Sequence, residues 1–245
     1  MDSSKPGLHD TFSRSAQPLY ANVKNYVRER IESGEWPPNH RIPSENEIVT
    51  ELGVSRMTAN RALRELATEG AILRVQGVGS FVASRKGSAP LLGVKNIADE
   101  IRERGHVHSA KIVMIQEEAA TPDVVDALGL PVGSAVFHSI ITHCENDLPI
   151  QIEDRFVNPS VAPLYVRQSF QNTTPNAYLT ELAPISHVDQ VVEAVTAQPW
   201  ECRLLSISSI EPCLMIKRRT WTQDIPVTSV RLLYPGSRYR LEGRS

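Results

Sequence analysis

Apolar positions spaced three and four apart predict a first helix over residues 19–34, with Leu19, Val23, Tyr26, Val27 and Ile31 on one stripe. Gly34 stands where a helix closes, and Trp36-Pro37-Pro38 prevents its continuation. Ser44-Glu45-Asn46-Glu47 is a capping-box pattern, so a short helix runs from there to Leu52, where Gly53 ends it. After a turn at Val54-Ser55, Ser55 caps a third helix whose stripe is Ala59, Ala62, Leu63 and Leu66, and Gly70 stops it. The period then changes. Residues 72–75 and 81–83 are apolar runs flanking Gln76-Gly77-Val78-Gly79-Ser80, which reads as a hairpin with a glycine-rich tip.

Beyond residue 90 the pattern is mixed. Helices are predicted over 97–104, from Thr121-Pro122-Asp123, and from Thr174-Pro175 through Leu182. Strands are predicted over 110–118, 135–143, 148–157, 188–197, 212–222 and 226–235, with a turn at 144–147. The fold class expected is α+β. The domains expected are a polar tail over 1–17, a winged helix-turn-helix over 18–84, a small basic linker over 85–90 that serves as a hinge, and a second domain over 91–245.

Composition narrows the function. An apolar fraction of 41% excludes global disorder. No apolar run is long enough to span a membrane, and the start lacks the basic and apolar regions of a secretory signal. Cys144, Cys202 and Cys213 are too few and too scattered for a disulfide framework, so a reducing cytosol is expected. The net charge is −2, yet residues 55–85 carry five arginines against two glutamates. Local positive charge on an acidic chain suits a compact DNA-reading surface.

Three short helices followed by a hairpin form a winged helix-turn-helix, whose third helix enters the major groove of a duplex. Opposite the apolar stripe lie Met57, Asn60, Arg61 and Arg64, with Arg56 at the helix start. Arg56 suits guanine or phosphate, Asn60 suits adenine, and Gly77 and Gly79 let the wing approach DNA closely. A solvated helix face is the plain alternative. The runs Ile42-Pro43-Ser44-Glu45, Gly53-Val54-Ser55-Arg56-Met57-Thr58, Arg61-Ala62-Leu63 and Gln76 through Val82 closely resemble the GntR family of bacterial transcription regulators. That resemblance implies DNA contacts at Arg56, Thr58, Asn60 and Gly79. Many members carry arginine at the positions of Asn46 and Asn60. With Ser44 and Ser55 at the helix starts, the candidate DNA-binding set is Ser44, Asn46, Ser55, Arg56, Thr58, Asn60, Arg61, Arg64, Gly77 and Gly79.

Residues 90–242 resemble the effector domain of the HutC branch of that family, through Asn96-Ile97-Ala98-Asp99-Glu100-Ile101, residues 148–155, residues 174–179 and residues 234–239. The resemblance implies a chorismate-lyase-like antiparallel sheet with helices. It further implies a homodimeric repressor of histidine-utilisation genes on a palindromic operator, with urocanate as effector. Urocanate needs an anion site, an acceptor for its ring N–H and an apolar slot. The helix start at Thr174-Pro175-Asn176 is a candidate anion site. Glu153 is the candidate acceptor, on a strand where Gln151, Glu153 and Arg155 share one face while Ile150, Ile152 and Phe156 share the other. That polar row either faces solvent or lines a pocket. The resembled family places its ligand at the positions of Ile141, His143, Glu153, Thr174, Asn176, Thr228 and Tyr234. Arg155 and Tyr178 complete the candidate set. Related sugar-phosphate sensors often carry arginine where this chain has Ile141 and His143, so a flatter and less charged ligand is expected.

Each residue also has a structural reading: a lone histidine is usually hydrogen-bonded scaffolding, and Tyr234 suits a core. Two other classes stand beside the sensor. An enzyme acting on a small carboxylate would use His143, Glu153 and Arg155 as an acid–base set, but no nucleophile elbow, zinc motif or phosphate loop is present. A constitutive DNA-binding protein would need the second domain only as scaffold. No cofactor and no metal are expected, since His106 and His108 lack partners at ligand spacing. The run Lys217-Arg218-Arg219 lies in a strand pattern, so alternate members face opposite ways.

Overall fold

The computed structural model describes residues 18–83, 87–90 and 94–242. The chain divides into two compact units, Met1–Arg85 and Lys86–Ser245. The expected tail, residues 1–17, lies outside the described residues.

The first unit holds α1 (Leu19–Glu32), β1 (Arg41–Ile42), α2 (Glu45–Leu52), α3 (Arg56–Thr68), β2 (Ile72–Val75) and β3 (Gly79–Val82). Its helix ends follow local chemistry. The Ser44 side chain accepts from the Glu47 N–H while the Glu47 carboxylate accepts from the Ser44 N–H, closing a capping box on α2. Gly53 ends α2 with φ at 66°, in the left-handed region open to glycine. Ser55 then caps α3 by accepting from Thr58 N–H. The apolar stripes meet in one core of Val23, Val27, Ile48, Ala59, Ala62, Leu63 and Leu66. Leu19, at the head of the expected α1 stripe, is exposed instead, because it begins the helix before the packed turns. The hairpin is also larger than the periodicity suggests. The short β1 joins it, giving the order β1-β3-β2.

The second unit is built on a six-stranded antiparallel sheet in the order β5-β6-β7-β10-β9-β8. These strands are β5 (His108–Ala119), β6 (Ala135–Glu145), β7 (Leu148–Val157), β8 (His187–Thr196), β9 (Pro212–Thr222) and β10 (Ile225–Pro235). The β6–β7 connection is tighter than expected: β6 runs on through Glu145, and Asn146 and Asp147 alone make the turn, both at positive φ. At the edges much of β5 and β8 stays exposed, while helices cover the central strands on both faces. On one lie α6 (Pro175–Leu182) and residues 158–170, through Phe137, Ile141, Val157, Tyr165, Phe170 and Leu179. On the other lie α5 (Pro122–Leu128) and α7 (Pro199–Leu205), through Val136, Leu128, Ile152, Leu205 and Met215. α7 escapes the periodicity because it is only 7 residues long.

One expectation needs correction. Gly87–Pro90, assigned above to a linker, forms β4 and pairs in parallel with β11 (Tyr239–Glu242). The partner lies far along the chain, so local composition cannot reveal it. α4 (Ile97–Glu103) follows, capped by the Asn96 side chain.

Replacing Ser44 by alanine should destabilise the first unit by about 1 kcal/mol, since one side of a capping box is lost. Urea unfolding followed by Trp36 fluorescence, in a chain whose Trp200 and Trp221 are phenylalanine, measures this. No change in midpoint would show that the box adds nothing.

Candidate nucleic-acid interface and effector site

An open groove of about 680 Å³ runs between the start of α2, the start of α3 and the wing, lined among others by Ser44, Asn46, Arg56, Arg74, Gly77 and Gly79. Ser44 and Asn46 are exposed at the start of α2, and the Arg56 side chain is 75% exposed at the start of α3. The two wing glycines have separate reasons to be glycine. Gly77 turns with φ at 74°, and Gly79 has φ at 142°, where a Cβ would also come 3.1 Å from the Arg41 guanidinium.

Most of the remaining candidates are engaged with the protein. The Ser55 and Thr58 hydroxyls bond each other at 2.8 Å. Asn60 donates to Glu45 at 2.5 Å. The Arg61 guanidinium lies 3.8 Å over the Tyr20 ring and pairs with Glu65 at 3.1 Å, so it is directed toward α1. Arg64 is exposed, with no ion pair among the described residues. The residue that sequence reasoning missed is Glu45. It sits in the first turn of α2 and gathers Asn60, Arg74 at 2.7 Å and Arg56 at 3.6 Å around one carboxylate. Its place inside the capping motif was the only signal.

In the second unit the polar row on β7 is buried. Gln151, Glu153 and Arg155 are each at most 4% exposed and share the face covered by α6. Arg155 Nε donates to Glu153 at 2.8 Å and its Nη1 donates to Thr228 at 3.2 Å. Thr228 also bonds Thr220 across β10 and β9. Burial opposes a charge on Glu153, but Arg155 and His143 outweigh it and hold the carboxyl down at about 2. His143 stands opposite Gln151 in the β6–β7 ladder, with its Nε2 3.6 Å from Glu153. His108 Nε2 lies 3.0 Å from His143 Nδ1. The favourable tautomer has His108 donating, because His143 then turns an N–H and not a lone pair toward the Glu153 carboxylate. At 3.6 Å that N–H is too far to bond, and among the described residues the Gln151 Oε1 likewise has no hydrogen-bond partner.

Tyr234 is both core and polar contact. Its ring stacks on Tyr239 at 3.9 Å, and its hydroxyl accepts from Gln151. Ile141 is fully buried in the apolar cluster under α6. Thr174 caps α6 by accepting from Ala177 N–H, and its hydroxyl donates to Asn96 at 3.0 Å. Tyr178 joins an aromatic group with Tyr165 and Phe170. A small cavity lies under α6, lined by Arg155, Asn176, Arg218, Thr220 and Thr228 among others. His143, Glu153 and Tyr234 are thus in the same polar layer but do not line this cavity. Among the described residues no His, Cys, Asp and Glu group is arranged to hold a metal, and no helix is long and apolar enough to cross a membrane.

Burial, followed by the neighbouring His143, depresses His108 from 6.5 to about 4. The unfolded chain therefore binds this proton near pH ~6.5 while the folded chain refuses it. This contribution to stability is present above pH ~6.5 and is lost as pH falls toward 4. Urea unfolding at pH 7 and pH 5 should show a smaller loss in His108→Gln than in the parent. Equal losses would refute the assignment.

Two family models match. "Bacterial regulatory proteins, gntR family" covers residues 19–82, and the UTRA domain covers residues 103–240. The chain is 56% identical over 242 residues to the histidine utilization repressor of Pseudomonas aeruginosa, covering 99% of this chain and 97% of that one. It is 49% identical over 227 residues to the histidine utilization repressor of Klebsiella aerogenes, covering 93% and 94%. Among solved structures, the C-terminal domain of the histidine utilization repressor of Pseudomonas syringae pv. tomato matches 56% of this chain and 98% of its own, with 53% identity and a TM-score of 0.55. PhnF of Mycobacterium smegmatis, at 20% identity and a TM-score of 0.65 over 92% of this chain and 98% of its own, shares the fold. The two full-length relatives bear the name of repressors, a regulatory role in keeping with the first family model. With its winged first unit and its covered six-stranded sheet, the chain belongs to the GntR family of bacterial regulatory proteins, in the branch that carries a UTRA domain and includes the histidine utilization repressors.

Proposed function

We propose that the chain is a cytosolic repressor of histidine-utilisation genes that holds a palindromic operator as a homodimer and releases it when urocanate binds the second unit. One observation carries this reading: a polar row of His143, Gln151, Glu153 and Arg155 buried beneath α6 in a chain 56% identical to a histidine utilization repressor. A purely structural sheet would fill that layer with apolar side chains, because buried charge is costly even when paired. The row also offers an imidazole what it needs. Gln151 Oε1 accepts the ring N–H in place of Glu153, which Arg155 already engages, and His143 Nε2–H donates to the other ring nitrogen.

In the first unit Arg56 and the wing glycines face the operator, with Ser44, Asn46, Ser55 and Arg64 on phosphates. Thr58 and Asn60 sit at the base-reading end of α3, and Asn60 leaves Glu45 for a base on docking. Arg61 supports α1 and contributes through the backbone of the duplex. Urocanate acts by favouring a state that fits the operator less well, because a ligand shifts an equilibrium only by its differential affinity for two states. The expected coupling is ~1–3 kcal/mol, roughly 5–150-fold in operator affinity.

The test is a titration of urocanate into a complex of the protein with the promoter region of a histidine-degradation operon, read by fluorescence anisotropy. Release at micromolar urocanate, and no release by cinnamate, is the expected result. Release by a different small acid alone would keep the repressor and replace its effector. In the same assay Arg56→Ala should weaken operator binding ~10-fold or more and leave urocanate binding intact. Glu153→Gln should bind the operator normally and respond weakly to urocanate. An operator affinity unchanged in Arg56→Ala would remove that residue from the interface.

A further inference from the structure

Of the three consecutive basic residues on β9, two face outward and pair: Lys217 with Glu193 at 2.8 Å and Arg219 with Asp189 at 2.9 Å. Arg218 faces the other way, stands opposite Val230 of β10, and is only 7% exposed. Among the described residues it makes no ion pair. Its Nε donates to the neutral amide of Gln190 at 2.8 Å. Burial, the largest influence on it, holds its proton affinity below the ordinary guanidinium value. Arg155, which lines the same cavity, has Glu153 as a counter-charge at 2.8 Å. The polar layer thus contains two guanidinium groups and one carboxylate bonded to either of them; Glu153, and Glu100 behind the Tyr239 hydroxyl, act on Arg218 only through space.

A cation removed from water without an opposite charge is expensive, and folded proteins leave one only where something else supplies the charge. The cavity beside Arg218 is also lined by Asn176 and Thr180 of α6 and by the Thr220 and Thr228 hydroxyls. Asn176 lies in the first turn of α6, where the helix dipole favours an anion.

We propose that Arg218 is the anchor for the carboxylate of a small planar organic acid, whose negative charge completes the buried layer. This deepens the effector reading above and rests on it for the identity of the acid. The cavity volume, about 10 Å³, is about that needed for a single water. A carboxylate needs more room. The wall formed by Asn176, Leu179 and Thr180 moves outward when the acid enters, so α6 is the element that senses occupation.

The test has two arms on the full chain. In the first, urocanate and its methyl ester are titrated into the parent, Arg218→Gln and Arg218→Lys, and binding is read by calorimetry. The parent should prefer the acid to the ester. Arg218→Gln should bind the acid about 10-fold or more weakly and lose that preference, and Arg218→Lys should recover part of it. In the second arm, acrylate and acrylamide are titrated into the parent, and the Arg218 Nε–H resonance is followed by NMR. Acrylate should shift it and acrylamide should not. This arm needs no folded variant. If urocanate fails to bind the parent while acrylate moves the resonance, the effector identity falls and the anchor stands. If Arg218→Gln binds urocanate as the parent does, the anchor is overturned. An acrylate titration that leaves the resonance in place, or that matches acrylamide, overturns it as well.

Discussion

A charge taken out of water has to meet an opposite charge or a dense set of dipoles, and the covered face of the six-stranded sheet is organised around that requirement. Glu153 and Arg155 sit two residues apart on one strand and satisfy each other. Neighbouring strands supply Thr228, Thr220, His143 and His108 in a continuous polar layer. Low local dielectric strengthens every contact in such a layer and raises the cost of any atom left out. Among the described residues two such atoms, His143 Nε2 and Gln151 Oε1, belong to residues that lie opposite each other in the ladder. The layer is therefore strongly ordered and yet incomplete, which is the condition a binding site needs.

In the first unit the corresponding constraint is the supply of backbone N–H groups at two helix starts. Ser44 and Ser55 each satisfy one such group, which fixes where α2 and α3 begin. Fixing those starts places Glu45 within reach of Arg56, Asn60 and Arg74. A single carboxylate at the centre of the groove holds these cations and the amide in one cluster. On the proposed reading, phosphates would compete with this carboxylate for the arginines, and Asn60 would exchange it for a base.

Much of this was legible in the residue pattern, for identifiable reasons. Caps, glycine stops and helical stripes are local signals, and α1, α2, α3 and the wing follow them closely. Alternation correctly separated Gln151, Glu153 and Arg155 from Ile150 and Ile152. It could not tell whether the polar side met solvent, because that depends on α6 and residues 158–170 folding over it from elsewhere in the chain. Alternation likewise turned Arg218 away from Lys217 and Arg219, but the absence of a counter-charge appears only once neighbouring strands are in register. The pairing of β4 with β11 and the cluster around Glu45 were hidden for the same reason: each depends on residues distant in sequence. At the start of α7 the Glu201 carboxylate accepts from the Gln198 N–H at 2.7 Å, but the helix is too short for a stripe to form.

Asn96 adds a mechanical consequence. Its Oδ1 accepts both the Ala98 N–H, which caps α4, and the Thr174 hydroxyl, at the start of α6. One oxygen thereby pins two helices. An outward swing of α6, as the proposed anchor requires, would lengthen or break the Thr174–Asn96 bond and leave Asn96 to cap α4 alone. Occupation of the sheet's buried layer would in that case be felt at residue 96, the cap of the first helix in the second unit.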